Sequence, residues 1–424
     1  MKINLTKSEL IYKQVFIVIT ILYTTALTTL KGVSTVINFL LLLWAIVLLY
    51  MFYVKNKSIA IHKSKILLLI FMCIYILTII KNPSKASNIK IYVLTFMQFF
   101  VLYSFNSWGD KEDIIKQGKL LMNTYVLASA VPSLITFAMY ILNITFTIGD
   151  SVFGRLVYGG FNGIYTGGNT AALVAALSIM MSAILILMTK GYGKVFYILS
   201  VVLQVGVLLS SKGRAGILAV GIFFIAFILI YEKSIKNKVL YIFFLLTLGF
   251  LALWTKALFI NKPSSLLVKN EELGFFSGRL NLWSTGLKVI KENFLIGVGT
   301  DNVTKSMKEA ARVSLPGIDG GGLHNIFFQI GVANGVIASI IILIFFVFVT
   351  VKIYSYISKN PLMRYERIFV SGILAFSISI YAINMVEANI IFVANFVATV
   401  YWTFMGNAMR MVYKRYEVKV HALG

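Results

Sequence analysis

The chain has little of what a soluble or redox-active protein relies on. Its 424 residues include one cysteine, Cys73, within an apolar run, so neither a disulfide nor a cysteine metal site is available and the thiol reads as a small buried side chain. Only 13% of residues are charged against 59% hydrophobic, and the mean hydropathy is +0.88, which excludes a soluble globular domain. Carboxylates are few, 15 Asp and Glu beside 39 Lys and Arg. Those of the long loop before the last apolar runs, Glu271, Glu272, Asp301, Glu309 and Asp319, lack the spacing of a metal cage, so no metal and no other cofactor is expected. No Walker loop or dinucleotide fingerprint appears. Any energy for chemistry has to arrive with the substrate.

What the chain does have is a succession of hydrophobic runs long enough to cross about 30 Å of hydrocarbon at roughly 17 to 25 residues each. They lie near 11–30, 33–54, 66–80, 89–105, 119–142, 169–189, 194–211, 214–231, 238–259, 325–351, 367–386 and 388–409. The expectation is an all-α polytopic membrane protein of about twelve transmembrane helices. The whole chain, 1–424, reads as a single membrane domain, with a large extracytoplasmic loop at 260–324 between spans nine and ten. The N-terminus lacks a small-residue cleavage site and reads as a retained first span. A net charge of +24 would suggest nucleic acid in a soluble protein; here the lysines cluster between the runs, the pattern of topogenic signals and of contacts with anionic headgroups, and nucleic acid is discounted. Most Lys and Arg fall on the side of the N-terminus, which predicts both termini inside. Arg155, Arg214, Arg279, His324 and Glu387 then share the outer side, and His62 and His421 sit among inner lysines as solvated groups.

The one long polar interval, Phe275 to Gln329, carries an amphipathic helix. On a helical wheel Asn281, Ser284, Thr285, Lys288, Lys291 and Glu292 share one arc, while Leu280, Leu282, Trp283, Leu287, Val289 and Ile290 share the other, with Arg279 among them. Such an arginine either snorkels over apolar surface or turns its planar fork to a lipid-linked phosphate. His324 follows Gly320-Gly321-Gly322-Leu323 and precedes Asn325 where the chain re-enters the membrane. It is a candidate general base for a sugar hydroxyl, with His-Asn helix capping as the alternative and Asp301 and Asp319 as candidate orienting acids. In the tight turn Ser210 to Gly216, Lys212 and Arg214 stand at the outer start of a helix, where an anion would relieve their conflict with the helix dipole; headgroup phosphates alone are the other reading. Arg155 sits in a glycine-rich stretch ahead of Asn169, a candidate helix cap, and reads either as a ligand contact or as one arginine on a flexible loop. Glu387, between the last two runs, either pairs with an outer arginine or faces water.

The segment S-G-R-L-N-L-W-S-T-G-L-K-V-I-K-E-N-F-L-I-G-V-G, Ser277 to Gly299, followed by L-H-N-I-F-F-Q from Leu323, resembles the signature of the O-antigen ligase and O-antigen polymerase superfamily of bacterial membrane glycosyltransferases. The S-K-G-R-A-G turn resembles that family's S-R-G element, with Lys212-Gly213 intervening before Arg214, and the Arg155 to Asn169 stretch resembles it more loosely. The resemblance implies a twelve-helix fold whose large outer loop contains short helices. It also implies a donor glycan on undecaprenyl pyrophosphate, transferred without metal or nucleotide, with His324 as base on the acceptor and Arg214 and Arg279 on the pyrophosphate. Arg155 and Lys212 join the expected substrate-binding set. The expected activity is that of a polysaccharide polymerase for O-antigen, capsule or exopolysaccharide in a bacterial cytoplasmic membrane. Its partners are lipid-linked donor and acceptor and the lipid bilayer, with a chain-length regulator and a flippase as candidate protein partners. Ligase-type transfer to another acceptor and a flippase for the lipid-linked glycan are the alternatives.

Overall fold

In lipid, a backbone with no water to bond must satisfy its N–H and C=O groups internally, and long apolar runs do so as helices. The computed structural model describes residues 5–29, 31–55, 62–82, 85–103, 110–149, 151–157, 160–243, 247, 279–312, 315, 318 and 322–421, and these are overwhelmingly helical. The first half comprises α1 (Leu5–Leu22), α2 (Lys31–Leu49), α3 (Lys63–Lys81), α4 (Lys85–Met97), α5 (Lys111–Leu142), α6 (Gly168–Met188), α7 (Gly193–Ser211) and α8 (Arg214–Tyr231). After the polar interval come α9 (Arg279–Glu292), α10 (Val303–Ala310), α11 (Ile326–Asn334), α12 (Val336–Lys359), α13 (Arg364–Asn384) and α14 (Phe396–His421). Two short antiparallel hairpins, β1 (Phe146–Ile148) with β2 (Ser151–Phe153) and β3 (Leu156–Val157) with β4 (Gly160–Phe161), are the only strands among the described residues. The protein is an all-α polytopic membrane protein.

Eight described helices are long and apolar enough to cross a membrane: α2, α3, α5, α6, α7, α8, α12 and α13. Three further expected spans also appear as helices. α1 begins with Lys7, Glu9 and Lys13, α4 with its π-turn continuation is short, and α14 carries Thr399, Thr403, Asn407 and Arg410 buried at helical spacing. Most of the expected ninth span and the loop residues 260–278 lie outside the described residues. Nearly every side chain of α6 is buried, and α5, α7, α8 and α13 pack around it. A helix apolar on all sides belongs in such a position.

Several expectations change. The run 325–351 is broken at Gly335, whose φ of 86° and position against the Leu295 carbonyl admit no side chain. Val336 N donates to Phe294 O at 2.9 Å, and Val298 N and Gly299 N donate to Val332 O and Ala333 O, so the turn after α9 is grafted onto the break. The last two runs, nearly touching in sequence, are separated by an irregular connection, residues 385–395, that folds back inward: Ile390, Ile391 and Phe392 are buried, and Trp402 Nε1 donates to Ile390 O at 2.7 Å. Asn169 does not cap α6; the N-cap is Gly167, and Asn169 lies within the first turn. Cys73 is exposed on α3 rather than buried, because the apolar exterior of a membrane bundle needs no polar cover. His62 is not simply solvated: its ring stacks on Tyr413 at 3.9 Å, and burial together with the Lys65 charge lowers its pKa to about 4.

Candidate active site

One end of the bundle collects the expected site residues. Thr166 N donates to Thr24 O and Ala26 N to Ile164 O, so the hairpins sit on the end of α1. Thr78 of α3 donates to Ile296 O, and Asn88 of α4 accepts from Thr300 Oγ1 at 2.7 Å and from Asp301 N at 3.0 Å, so the turn after α9 rests on the same end.

Arg279 and Trp283 lie four residues apart on α9 and therefore on one face. Their heads reach two neighbouring targets. The Arg279 guanidinium pairs with Glu387 Oε1 at 3.0 Å, and Trp283 Nε1 donates to Leu323 O at 3.0 Å while its ring stacks on Phe328. The buried face of α9 is Leu282, Thr285, Gly286, Val289 and Ile290; Leu280 and Leu287 of the apolar arc are exposed, and Thr285 of the polar arc is buried. The wheel had merged two apolar faces, one packed into the bundle and one open.

Leu323 is held from its other side as well, its N–H donating to Gln329 Oε1 at 3.0 Å. Asn325 is the N-cap of α11, accepting from Phe327 N and Phe328 N, and its amide donates to Met385 O at 3.0 Å. Capping thus falls to Asn325 alone. His324, between two anchored neighbours and at a φ of 49°, turns its ring to the connection after α13, where Nδ1 lies 3.0 Å from Glu387 Oε2. The carboxylate therefore bridges the imidazole and the Arg279 guanidinium, one oxygen to each. Neither expected orienting acid takes this place: Asp301 is exposed on the turn held by Asn88, and Asp319 lies outside the described residues. The carboxylate that meets the imidazole is Glu387, for which an arginine partner and water are the two expected surroundings.

Arg214 stands near enough to Arg279 for the two guanidinium charges to oppose each other. Its place is fixed by the turn: Lys212 adopts the left-handed conformation, with φ 49°, and Gly216 brings α8 against the Ala172 backbone with no room for a Cβ. Gly160 of β4 packs on the Ser211 carbonyl, so the hairpin lies over the turn carrying Lys212 and Arg214. Arg155 is exposed beside β3 and, among the described residues, its guanidinium makes no hydrogen bond or ion pair; its backbone N–H bonds Asn162 Oδ1. The structure joins Arg279, His324 and Glu387, brings Arg214 beside them, and leaves Arg155 and Lys212 on adjoining elements.

Below the cluster a cavity of about 380 Å³ runs along α12 and α13, with Ile326, Phe327, Asn384 and Met385 at the cluster end and Thr350 and Val351 at the far end. Its lining is almost wholly apolar.

Residues 199–343 match the family model described as O-antigen ligase. Over that segment the chain is similar to the O-antigen ligase family. A search of curated proteins finds no match. The O-antigen ligase match runs from within α7 into α12 and includes Lys212, Arg214, Arg279 and His324. Arg155 and Glu387 lie outside it, so the carboxylate that completes the hydrogen-bonded cluster comes from beyond the matched segment.

Chemically the cluster has a division of labour. A neutral imidazole whose Nδ1–H donates to a carboxylate keeps Nε2 as the proton acceptor. An arginine that commits one amino group to Glu387 retains other N–H donors, arranged as phosphate requires. Arg214, Arg279 and Glu387 together leave a net positive charge, which favours an anionic ligand.

Proposed function

We propose that this protein is a polysaccharide polymerase that moves a growing glycan from undecaprenyl pyrophosphate to a lipid-linked repeat unit, without metal or nucleotide, at the outer face of a bacterial cytoplasmic membrane, with both termini inside. The observation that carries the reading is Glu387 bridging His324 Nδ1 and Arg279, each at 3.0 Å. In the reaction, an acceptor hydroxyl gives its proton to His324 Nε2 as its oxygen bonds to the anomeric carbon. The bond from that carbon to the diphosphate oxygen breaks, and the electron pair leaves on the diphosphate. Arg279 and Arg214 meet the charge that develops there, and preorganised donors in a water-poor site are effective at this task. Lys212 and Arg155 add positive charge around the departing group. The apolar cavity under the cluster takes the donor's isoprenoid chain, since it begins at Asn384 and Met385, beside Glu387.

The description of the matched family favours a second reading, ligase-type transfer to a different acceptor, which uses the same residues. Surface polysaccharide from a deletion strain complemented with His324→Ala or Arg279→Ala separates the possibilities. The expected result is single repeat units in place of a polymer ladder, with the protein still present in the membrane and a rate loss of about 10²- to 10⁴-fold for the histidine variant. A normal ladder rejects the assigned roles. Full-length polymer that accumulates untransferred supports the ligase, and loss of all outward-facing units supports a flippase.

A further inference from the structure

A second cavity, of about 290 Å³, opens between α1, α2 and α4. Two helices line it with the same spacing, Phe16, Ile19, Thr20 and Tyr23 from α1, and Lys90, Val93, Leu94 and Met97 from α4. The two run in opposite senses. α1 ends at the hairpins, so Tyr23 is at the active-site end, and α4 begins at the turn held by Asn88, so Lys90 is at that end too. Phe16 and Met97 lie at the far end. Ala394, which also lines the cavity, belongs to the same connection, residues 385–395, that presents Glu387.

The groove thus has a polar, cationic mouth on the catalytic face and an apolar depth. That is the shape of a single-chain amphiphile with an anionic head. We propose that it holds the acceptor, a polyprenyl-diphosphate-linked saccharide, with the diphosphate at Lys90 and Tyr23 and the first isoprene units between α1 and α4. The inference rests on the polymerase reading and deepens it. Transfer between two lipid carriers needs two tails seated at once, and the cavity along α12 and α13 accounts for one. The charge of Lys90 selects an anionic head, and the continuity through residues 385–395 aims that head toward Glu387 and His324. An anionic annular phospholipid would use the cation but would not need the continuity with residues 385–395.

The test uses the full chain in nanodiscs of phosphatidylethanolamine and phosphatidylglycerol, with a short-chain polyprenyl diphosphate bearing a diazirine near its distal isoprene. Photolysis of the unmodified protein should label peptides of α1, α2 and α4 in addition to those of α12 and α13. Lys90→Glu should reduce labelling of the first set by about tenfold, the loss of one charge-assisted contact, and leave the second set unchanged. Leu94→Trp, which fills the groove without touching its charge, should remove the first set. Labelling of α1 and α4 that is unaffected by both variants overturns the proposal, as does displacement of the probe from these helices by added phosphatidylglycerol. If Leu94→Trp fails to insert, the exposed Lys90→Glu decides alone. In parallel, elongation is followed with separately varied synthetic donor and acceptor, where Lys90→Glu should raise the acceptor KM and not the donor KM; a raised donor KM alone overturns the assignment to acceptor. Absence of any transfer between lipid carriers by the unmodified protein defeats the polymerase reading itself, independently of where the probe attaches.

Discussion

At the end that gathers the candidate site, Glu387 meets Arg279 and His324 with 12% of its side chain still accessible and theirs at 20% and 22%. At the opposite end Glu9 closes a 2.6 Å pair with Lys13 at 5% each, and Lys65 and Arg410 lie within Coulombic range of the same carboxylate. Arg410 Nη1 donates to Gln117, while Arg410 Nε and Nη2 and Glu9 Oε2 are buried without a hydrogen-bond partner among the described residues. Both ends set one carboxylate among several cations, and they differ in access. A part-open pair can exchange a protein partner for a ligand phosphate at low cost. A closed pair has already lost its water, and removing one member leaves uncompensated charge. The first arrangement suits chemistry and the second suits locking helices α1, α3 and α14 in register.

The comparison is broken most directly by neutralising the two carboxylates in turn. Glu387→Gln should lower turnover by about 10²-fold, because a neutral amide that can donate as well as accept no longer fixes the imidazole tautomer and Arg279 loses its counter-charge. Its melting temperature in detergent should stay close to that of the unmodified protein. Glu9→Gln should do the reverse. Removing the carboxylate from the buried Glu9–Lys13 pair costs about 3 to 5 kcal/mol, read as a large drop in melting temperature, with turnover per folded molecule little changed at low temperature. Equal thermal losses from both substitutions would show that openness is not what separates the two ends.

How much of this could be read along the chain follows from the range of each interaction. The membrane class and most helices were legible because apolar runs are local. Arg279 and His324 were legible through their short motifs, and Lys212 and Arg214 through a tight turn that carries two cations. The Glu387 bridge was not, since it joins residues 63 and 108 positions apart and depends on a connection that reads as a simple turn between two apolar runs. The break at Gly335 was missed for a related reason: hydropathy is continuous across it, and what splits the helix is the backbone of residues 294–299 docking from elsewhere. On α9, periodicity separates polar from apolar positions but does not say which apolar face meets protein. Leu282 is buried, whereas Leu280 and Leu287 are exposed.

The smallest expected effect concerns Trp283, which touches neither proton nor phosphate. Its indole N–H holds the Leu323 carbonyl, one residue before His324, and its ring stacks on Phe328 at 5.9 Å. Trp283→Phe keeps most of the stacking area and removes the hydrogen bond, worth about 1 kcal/mol. Since Gln329 and Asn325 still grip the segment on either side, the loop should keep its fold. A loosened imbalance at His324 should then appear in kcat, by a few fold, while the donor KM stays near that of the unmodified protein. Trp283→Leu, which removes the ring as well, should be distinctly worse than Trp283→Phe. Unchanged kinetics in Trp283→Phe, with a loss only in Trp283→Leu, would mean that the indole N–H does not position His324 and that the tryptophan acts through packing alone.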